Sequence, residues 1–354
     1  MIAERLTAQL LAGAPARDPV VVAERLLAIQ GQDPRGARLA VRARTTGLSA
    51  ADVDRALSEE RSLLITWVNR GTLHLLRSED YPWLHALTTP QLLTSNARRL
   101  RQEGVEPSAA ERAVQVIERA LAGDGPLTRE ALKERIDAAG VRTAGQALVH
   151  ILLLASLRGL IVRGPMIERR HAYVLVQDWL DKPKPVDGDR ALAELARRYL
   201  RGHGPAEDRD LARWAGVTLR DARAGLSAIA PELQQREDGL VDLSKRAPAA
   251  KLAPPRLLGP FDPLLLGWRS REPLLGSHTN VVTSNGVFRP IALVRGRAVG
   301  IWSMRAGKVE LEPFDELSSR DGAALRADAK DVQRYLAANS VAASSAAPPA
   351  PPRP

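Results

Sequence analysis

Over about the first 250 residues, apolar positions recur at the three-and-four spacing of short amphipathic helices, interrupted by brief apolar runs of strand length. Helices are predicted over 2–12, over 19–29 with Val22, Leu26 and Ile29 on one face, over 34–44 and over 50–57. Paired strands follow at 63–67 and 72–76. A second run opens at Gly125-Pro126-Leu127-Thr128, where Thr128 is the candidate N-cap and Leu127 can staple onto Leu132. Its helix stops at Gly140, and a helix over 143–157 and strands at 160–162 and 173–176 complete it. A third run opens at Gly204-Pro205-Ala206-Glu207, with helices over 208–215 and 218–229 separated by Gly216, then a strand at 240–243. After Arg256 the pattern changes to strand-like stretches at 281–282, 287–294 and 298–304, broken at Asn285-Gly286 and Arg295-Gly296-Arg297. Residues 337–354 are almost all Ala, Ser and Pro and are expected to be disordered.

Helix, turn, helix, β-hairpin is the winged-helix pattern. The expected fold is therefore α+β and mainly helical, with three tandem winged-helix units at 1–105, 106–185 and 186–250. A small β-rich domain at 251–325 and a helix end with a disordered tail at 326–354 complete it. Repeated units of this kind suit a long concave surface better than a single reading head.

Composition narrows the chemistry. The chain has 354 residues, 45% of them hydrophobic and 26% charged, which is ordinary for a globular protein with a substantial core. There is no cysteine, which excludes disulfides, thiolate catalysis, cysteine-based zinc sites and iron–sulfur clusters. The longest apolar run, around 151–157, is too short to span a bilayer, and the N-terminus carries Glu4 and no signal-peptide core. A cytoplasmic protein associated with the nucleoid, without membrane contact, is expected. The net charge is +10, and only seven of the 51 basic residues are lysine, leaving 44 arginines. This composition has two readings: a surface for a polyanion, whose phosphates match the arginine fork, or the codon usage of a GC-rich genome. Nucleic acid is the first partner to test. No glycine-rich phosphate motif, nucleophile elbow or metal-ligand spacing among the six histidines occurs, so no cofactor and no metal is expected.

The informative segment is 27–44, which contains Gln30-Gly31-Gln32-Asp33-Pro34-Arg35. Asp33 and Pro34 have the form of an N-cap and a first-turn proline. The helix they open places Arg35, Arg38 and Arg42 on one face. Such a stripe either tracks a phosphate backbone or is simply a solvated face. Gln30 and Gln32 diverge on a helix but converge on an extended segment, which Gly31 and Asp33-Pro34 favour. Two carboxamides then meet beside the arginines, or else satisfy backbone groups between helices. Farther along, alternation puts Thr72 and His74 on one strand face. His74 either contacts phosphate or the edge of a base, or is a hydrogen-bonded core histidine. Trp67 reads as core, Asp262 as a structural turn residue, and Trp268 and Trp302 as fillers of the β domain. Arg269 and Arg271 are channel or surface residues.

Three segments resemble the winged-helix DNA-binding family that contains the AlkZ-type DNA glycosylases. They are 27–44; Thr66-Trp67-Val68-Asn69-Arg70-Gly71-Thr72-Leu73-His74-Leu75; and 257–269, continuing to Gly300-Ile301-Trp302. The resemblance covers about residues 2–320. It implies three winged helices plus a β-barrel-like domain around a basic channel for duplex DNA, and removal of bulky N7-alkylguanine adducts, crosslinks included. The family's catalytic motif is glutamine, an aliphatic residue, then glutamine or aspartate. Gln30 and Gln32 match it, and Gly31 departs from its middle position. The resemblance thus implies Gln30 and Gln32 as catalytic residues, and the residues themselves give Arg35, Arg38, Arg42, Arg70, His74 and Arg269 as the expected DNA contacts. The expected activity is a monofunctional glycosylase acting as a monomer on double-stranded DNA with alkylated purines. The few lysines lie outside the motif segments, so no lyase step is expected. The alternative is a non-catalytic winged-helix DNA-binding protein or transcriptional regulator, which would usually be a symmetric dimer.

Overall fold

The computed structural model describes residues 1–168, 170–180 and 187–345. One order of elements occurs three times. First come helix Pro19–Leu26, strand β1 (Ile29–Gln30), helices Pro34–Arg42 and Ala50–Ser58, and strands β2 (Leu63–Val68) and β3 (Thr72–Arg77). Then come helix Pro107–Asp124, β4 (Leu127–Thr128), helices Arg129–Ala138 and Ala147–Leu157, and β5 (Ile161–Ile167) with β6 (Arg170–Leu175). The third set is helix Gly188–His203, a bridge at Ala206, helices Asp208–Ala215 and Leu219–Ala228, and β7 (Leu233–Gln235) with β8 (Val241–Leu243). The caps read from the sequence form: Asp33 accepts from Gly36 N at 2.8 Å, Thr128 from Ala131 N at 3.2 Å, and Gly216 ends its helix in the left-handed region. Thr218, expected as the first helical residue, is instead an N-cap that accepts from Asp221 N at 3.1 Å.

Two helix ends come earlier than periodicity predicts, and the second matters most. The N-terminal helix closes at Ala8, because Leu10 turns to φ 58° and Leu11 N returns to Leu6 O. The next closes at Leu26, because Leu27 turns to φ 63°. Ile29, expected on that helix's apolar face, instead starts strand β1. The helix expected over 143–157 begins only at Ala147.

The first two sets share one six-stranded sheet, in the order β1-β3-β2-β5-β6-β4. It is joined across its middle by the single pairing Ile65–Arg163. Its apolar face carries Ile29, Ile65, Trp67, Leu73 and Leu75 into a core with Ile117, Ile136 and Ile151. Trp67 is buried there under the Arg163 guanidinium, 5.1 Å from the ring.

The C-terminal part is an open four-stranded antiparallel sheet. Its order is β12 (Lys308–Pro313), β11 (Arg297–Arg305), β10 (Ile291–Val294), β9 (Arg256–Leu258). The barrel-like closure expected from the family resemblance is not formed among the described residues: β9 and β12 are free edges. Residues 281–290 contribute only a bridge, Val282–Phe288, around the Asn285-Gly286 turn. Helix Ser319–Ser345 covers this sheet, packing Leu325 and Val332 against Leu257, Val294 and Trp302. The helix carries the Ala/Ser tract as far as Ser345, where disorder was expected; residues 346–354 lie outside the described residues. Trp302 fills the β domain as expected. Trp268 reaches past it, donating from Nε1 to His203 O at 2.9 Å. Among the described residues, no helix is long and apolar enough to cross a membrane, and no three His, Asp or Glu side chains are grouped to hold a metal.

Two glycines fix the helix that follows the glutamine pair. A Cβ at Gly36 would meet Pro260 O at 2.7 Å, and one at Gly259 would meet Leu39 Cβ at 2.8 Å. The absence of both side chains lets helix Pro34–Arg42 lie directly on the chain leading from β9.

Candidate active site

Gln30 and Gln32 are held from both sides. Upstream, Ile29 and Gln30 pair with Leu75 and His74 on β3, and Gly31 N donates to Leu73 O at 2.7 Å. Downstream, the Asp33 cap and Pro34 fix the start of a helix. The intervening residues are therefore extended, and the carboxamides converge: Gln30 Nε2 donates to Gln32 Oε1 at 2.5 Å. Their exposures differ. Gln30 is 6% exposed, whereas Gln32 lies in solvent. Gln32 thus presents an amide outward while Gln30 fixes its orientation from beneath. Gly31 is buried, yet a Cβ there would meet Leu75 N at an ordinary 3.4 Å. The position accepts a side chain, and the ladder alone holds the loop extended.

Arg70, in the β2–β3 turn, closes the site. It donates to Trp214 O, and its Nη2 lies 3.4 Å from Gln30 Oε1. Burial, reinforced by the like charges of Arg213 and Arg271, lowers its pKa to about 10. It remains charged at neutral pH, and no carboxylate among the described residues forms an ion pair with it.

His74 does not take the phosphate-contacting role expected of it. It is 2% exposed, pairs with Gln30 across the ladder, and sets Nδ1 2.8 Å from Thr72 O. Burial first, and the Arg70 charge second, push its pKa down to about 3, so it is neutral and forms a wall of the site. Around it the Thr66, Thr72 and Asn69 side chains are buried without a protein partner.

The expected arginine stripe is reduced to one residue. Arg35 is exposed. Arg38 is buried against Asp54, which accepts from its Nε at 2.8 Å. Arg42 is buried against Asp331 at 2.9 Å, against Asp328 and against Leu257 O at 3.1 Å. Both guanidiniums are neutralised by carboxylates and cannot serve as free phosphate ligands here. Arg44, just beyond, is fully buried in a two-pronged pair with Asp262 at 2.8 and 2.9 Å, which confirms Asp262 as structural. Arg269 is exposed, with Glu207 at 3.9 Å, while its backbone N donates to Asp210 Oδ1. Arg213 was missed by sequence reading. It sits on a short helix of the third set, and nothing local marks it as a neighbour of a turn about 140 residues earlier.

An amide pair on a strand edge beside an unneutralised guanidinium suits neutral-side-chain chemistry on an anionic polymer. Comparison with known proteins gives the class. A match to the family described as DNA glycosylase AlkZ-like extends over residues 23–335, and the chain belongs to that family. It is similar to the interstrand DNA cross-link repair glycosylase of Streptomyces sahachiroi, with 27% identity over 341 residues, 88% of this chain and 89% of that protein. The solved structure of Streptomyces sahachiroi DNA glycosylase AlkZ matches with a TM-score of 0.76 at 25% identity, over 94% of this chain and 95% of the other. Family membership favours an enzyme over the regulator alternative.

Proposed function

We propose that the protein is a monofunctional DNA glycosylase, acting as a monomer, that hydrolyses the N-glycosidic bond of N7-alkylated purines in duplex DNA. The single observation carrying this reading is the Gln30–Gln32 amide pair, held extended between a ladder and a capped helix with Gln32 facing solvent. Glutamine does not titrate usefully, so it is not a general base. It can orient a water and turn its carbonyl dipole toward an oxocarbenium-like sugar. That assistance is enough only where the leaving group is already good. N7-alkylation makes the purine cationic. When the C1′–N9 bond breaks, its electron pair returns to the base, which departs neutral without an acid. Water forms the new C1′–O bond and loses its proton to solvent, leaving an abasic site.

The three recurrences of helix–strand–helix–helix–hairpin are read as winged helices that present this site to the duplex. Arg35, Arg70 and Arg269 are the backbone contacts. The description of the Streptomyces sahachiroi relative as a cross-link repair glycosylase supports including bulky and crosslinked adducts among the substrates. An open site also suits handling such lesions without full extrusion of the base. No lysine lies in the motif segments, in keeping with base removal without strand cleavage.

The test is substrate scope. Duplexes carrying N7-methylguanine or uracil at one position are incubated with the protein, and abasic sites are read after alkaline cleavage. Release from N7-methylguanine alone, with no breaks before alkali, is expected. Equal release of uracil would refute the neutral-amide mechanism, and tight binding without release would favour a non-catalytic DNA-binding protein.

A further inference from the structure

Beside Gln30, Arg70 reaches the helix that carries Arg213, and the segment of Arg271 is tied to that same helix. Arg70 comes from the β2–β3 turn. Arg213 is exposed on helix Asp208–Ala215, next to Trp214, whose carbonyl accepts from Arg70. Arg271 follows Arg269, whose backbone N donates to Asp210 Oδ1 on that same helix; Arg271 is fixed by Leu265 O at 2.8 Å and by the Phe288 ring at 4.8 Å. Of the buried arginines, Arg38, Arg42, Arg44 and Arg198 pair with carboxylates, and Arg5 is satisfied by Pro205 O at 3.1 Å and the Trp268 ring at 4.5 Å. Among the described residues, Arg70, Arg213 and Arg271 form no such pair. Burial first, and then the neighbouring charges, lower the basicity of two of them: Arg213 and Arg271 act on Arg70, and Arg213 acts on Arg271. Concentrating like charge this way is unfavourable unless an anion fills the site.

We propose that Arg70, Arg213 and Arg271 form a phosphodiester-binding site that holds the backbone phosphate next to the reacting sugar. This rests on the glycosylase reading and adds to it. A bare guanidinium 3.4 Å from Gln30 Oε1 would oppose positive charge developing on the sugar. A bound phosphate cancels that charge and sets a negative group beside the oxocarbenium-like carbon. The site therefore fixes the register of the lesion and removes an electrostatic penalty built into the free protein.

The experiment scans single neutral methylphosphonate linkages along a duplex with N7-methylguanine, measuring affinity and single-turnover release separately. With the wild-type chain, one linkage within a nucleotide of the lesion should weaken binding by about ten- to hundredfold, the loss of charge-assisted hydrogen bonds. Release should slow at the same position. In Arg213→Gln/Arg271→Gln, binding should already be weak and indifferent to that linkage, while Arg213→Lys/Arg271→Lys restores part of the sensitivity. Arg213→Gln alone, a surface change, gives the same comparison should the double variant misfold. Equal sensitivity of wild type and variants at every linkage would overturn the site. The position-specific binding pattern without any base release would leave the site standing and refute the glycosylase reading.

Discussion

Two groups of arginines have opposite electrostatic settings. Arg38, Arg42 and Arg44, on and just past the helix that the pair opens, are tied to Asp54, Asp328, Asp331 and Asp262. Arg70, Arg213 and Arg271 form no ion pair with a carboxylate among the described residues, and the charges of Arg213 and Arg271 act on Arg70. The first group holds the site together, and the second is charged for something that is not protein. The difference shows that a net charge of +10 says little about where an anion binds. What matters is which guanidiniums the fold leaves unpaired.

The comparison can be broken most forcefully at Arg44 and Asp262, both fully buried. Arg44→Met or Asp262→Asn leaves an uncompensated partner and should lower unfolding free energy by about 3–5 kcal/mol, measured by urea denaturation. A loss below about 1 kcal/mol would deny the first group its structural role. Next, Arg42→Gln should lower stability while leaving the salt dependence of DNA affinity unchanged. Arg213→Gln should do the reverse, reducing the slope of log affinity against log salt by about 0.9 and shifting stability by no more than about 0.5 kcal/mol. Identical slopes for the two variants would erase the distinction.

Acid should act on the buried histidines, His74 in the site wall among them. His74 and His203 are buried and neutral, with pKa values pushed down to about 3, against 6.5 for a free imidazole. Between those values the unfolded chain binds protons that the folded chain refuses. Their contribution is intact above pH 6.5, and thermal stability should fall progressively as pH drops from 6.5 toward 3. His74→Phe should lose less over that interval, and a melting temperature that falls as steeply as in the wild type would contradict the burial argument. The smallest effect is expected at Gly31. A Cβ fits there, so Gly31→Ala should change base release by less than about threefold, as single-turnover kinetics will show.

Local punctuation made much of this fold legible. Asp33-Pro34, Thr128 and Gly216 fixed helix ends from the residues alone, and Gly31 with Asp33-Pro34 favoured an arrangement in which the two carboxamides meet. Periodicity failed where the backbone makes an unusual turn. The sequence around Leu27 continues an apolar helical stripe, and only its positive φ releases Ile29 and Gln30 into a strand. Long-range partners were invisible. Nothing near Arg38 or Arg42 announces Asp54, Asp328 or Asp331, so a stripe correctly placed on one helix face turned out to be mostly buried. Strand β12 was also missed. It is an edge strand whose inward positions, Val309 and Leu311, are too few to stand out among charged neighbours.

The central claim is that neutral amides suffice for a purine already primed to leave. Single-turnover release of N7-methylguanine by Gln30→Ala/Gln32→Ala, at saturating protein and with duplex affinity measured alongside, tests it most directly. A rate reduced about 10²–10³-fold with affinity within about threefold of wild type is the predicted result. An unchanged rate would contradict it and move the chemistry elsewhere in the molecule.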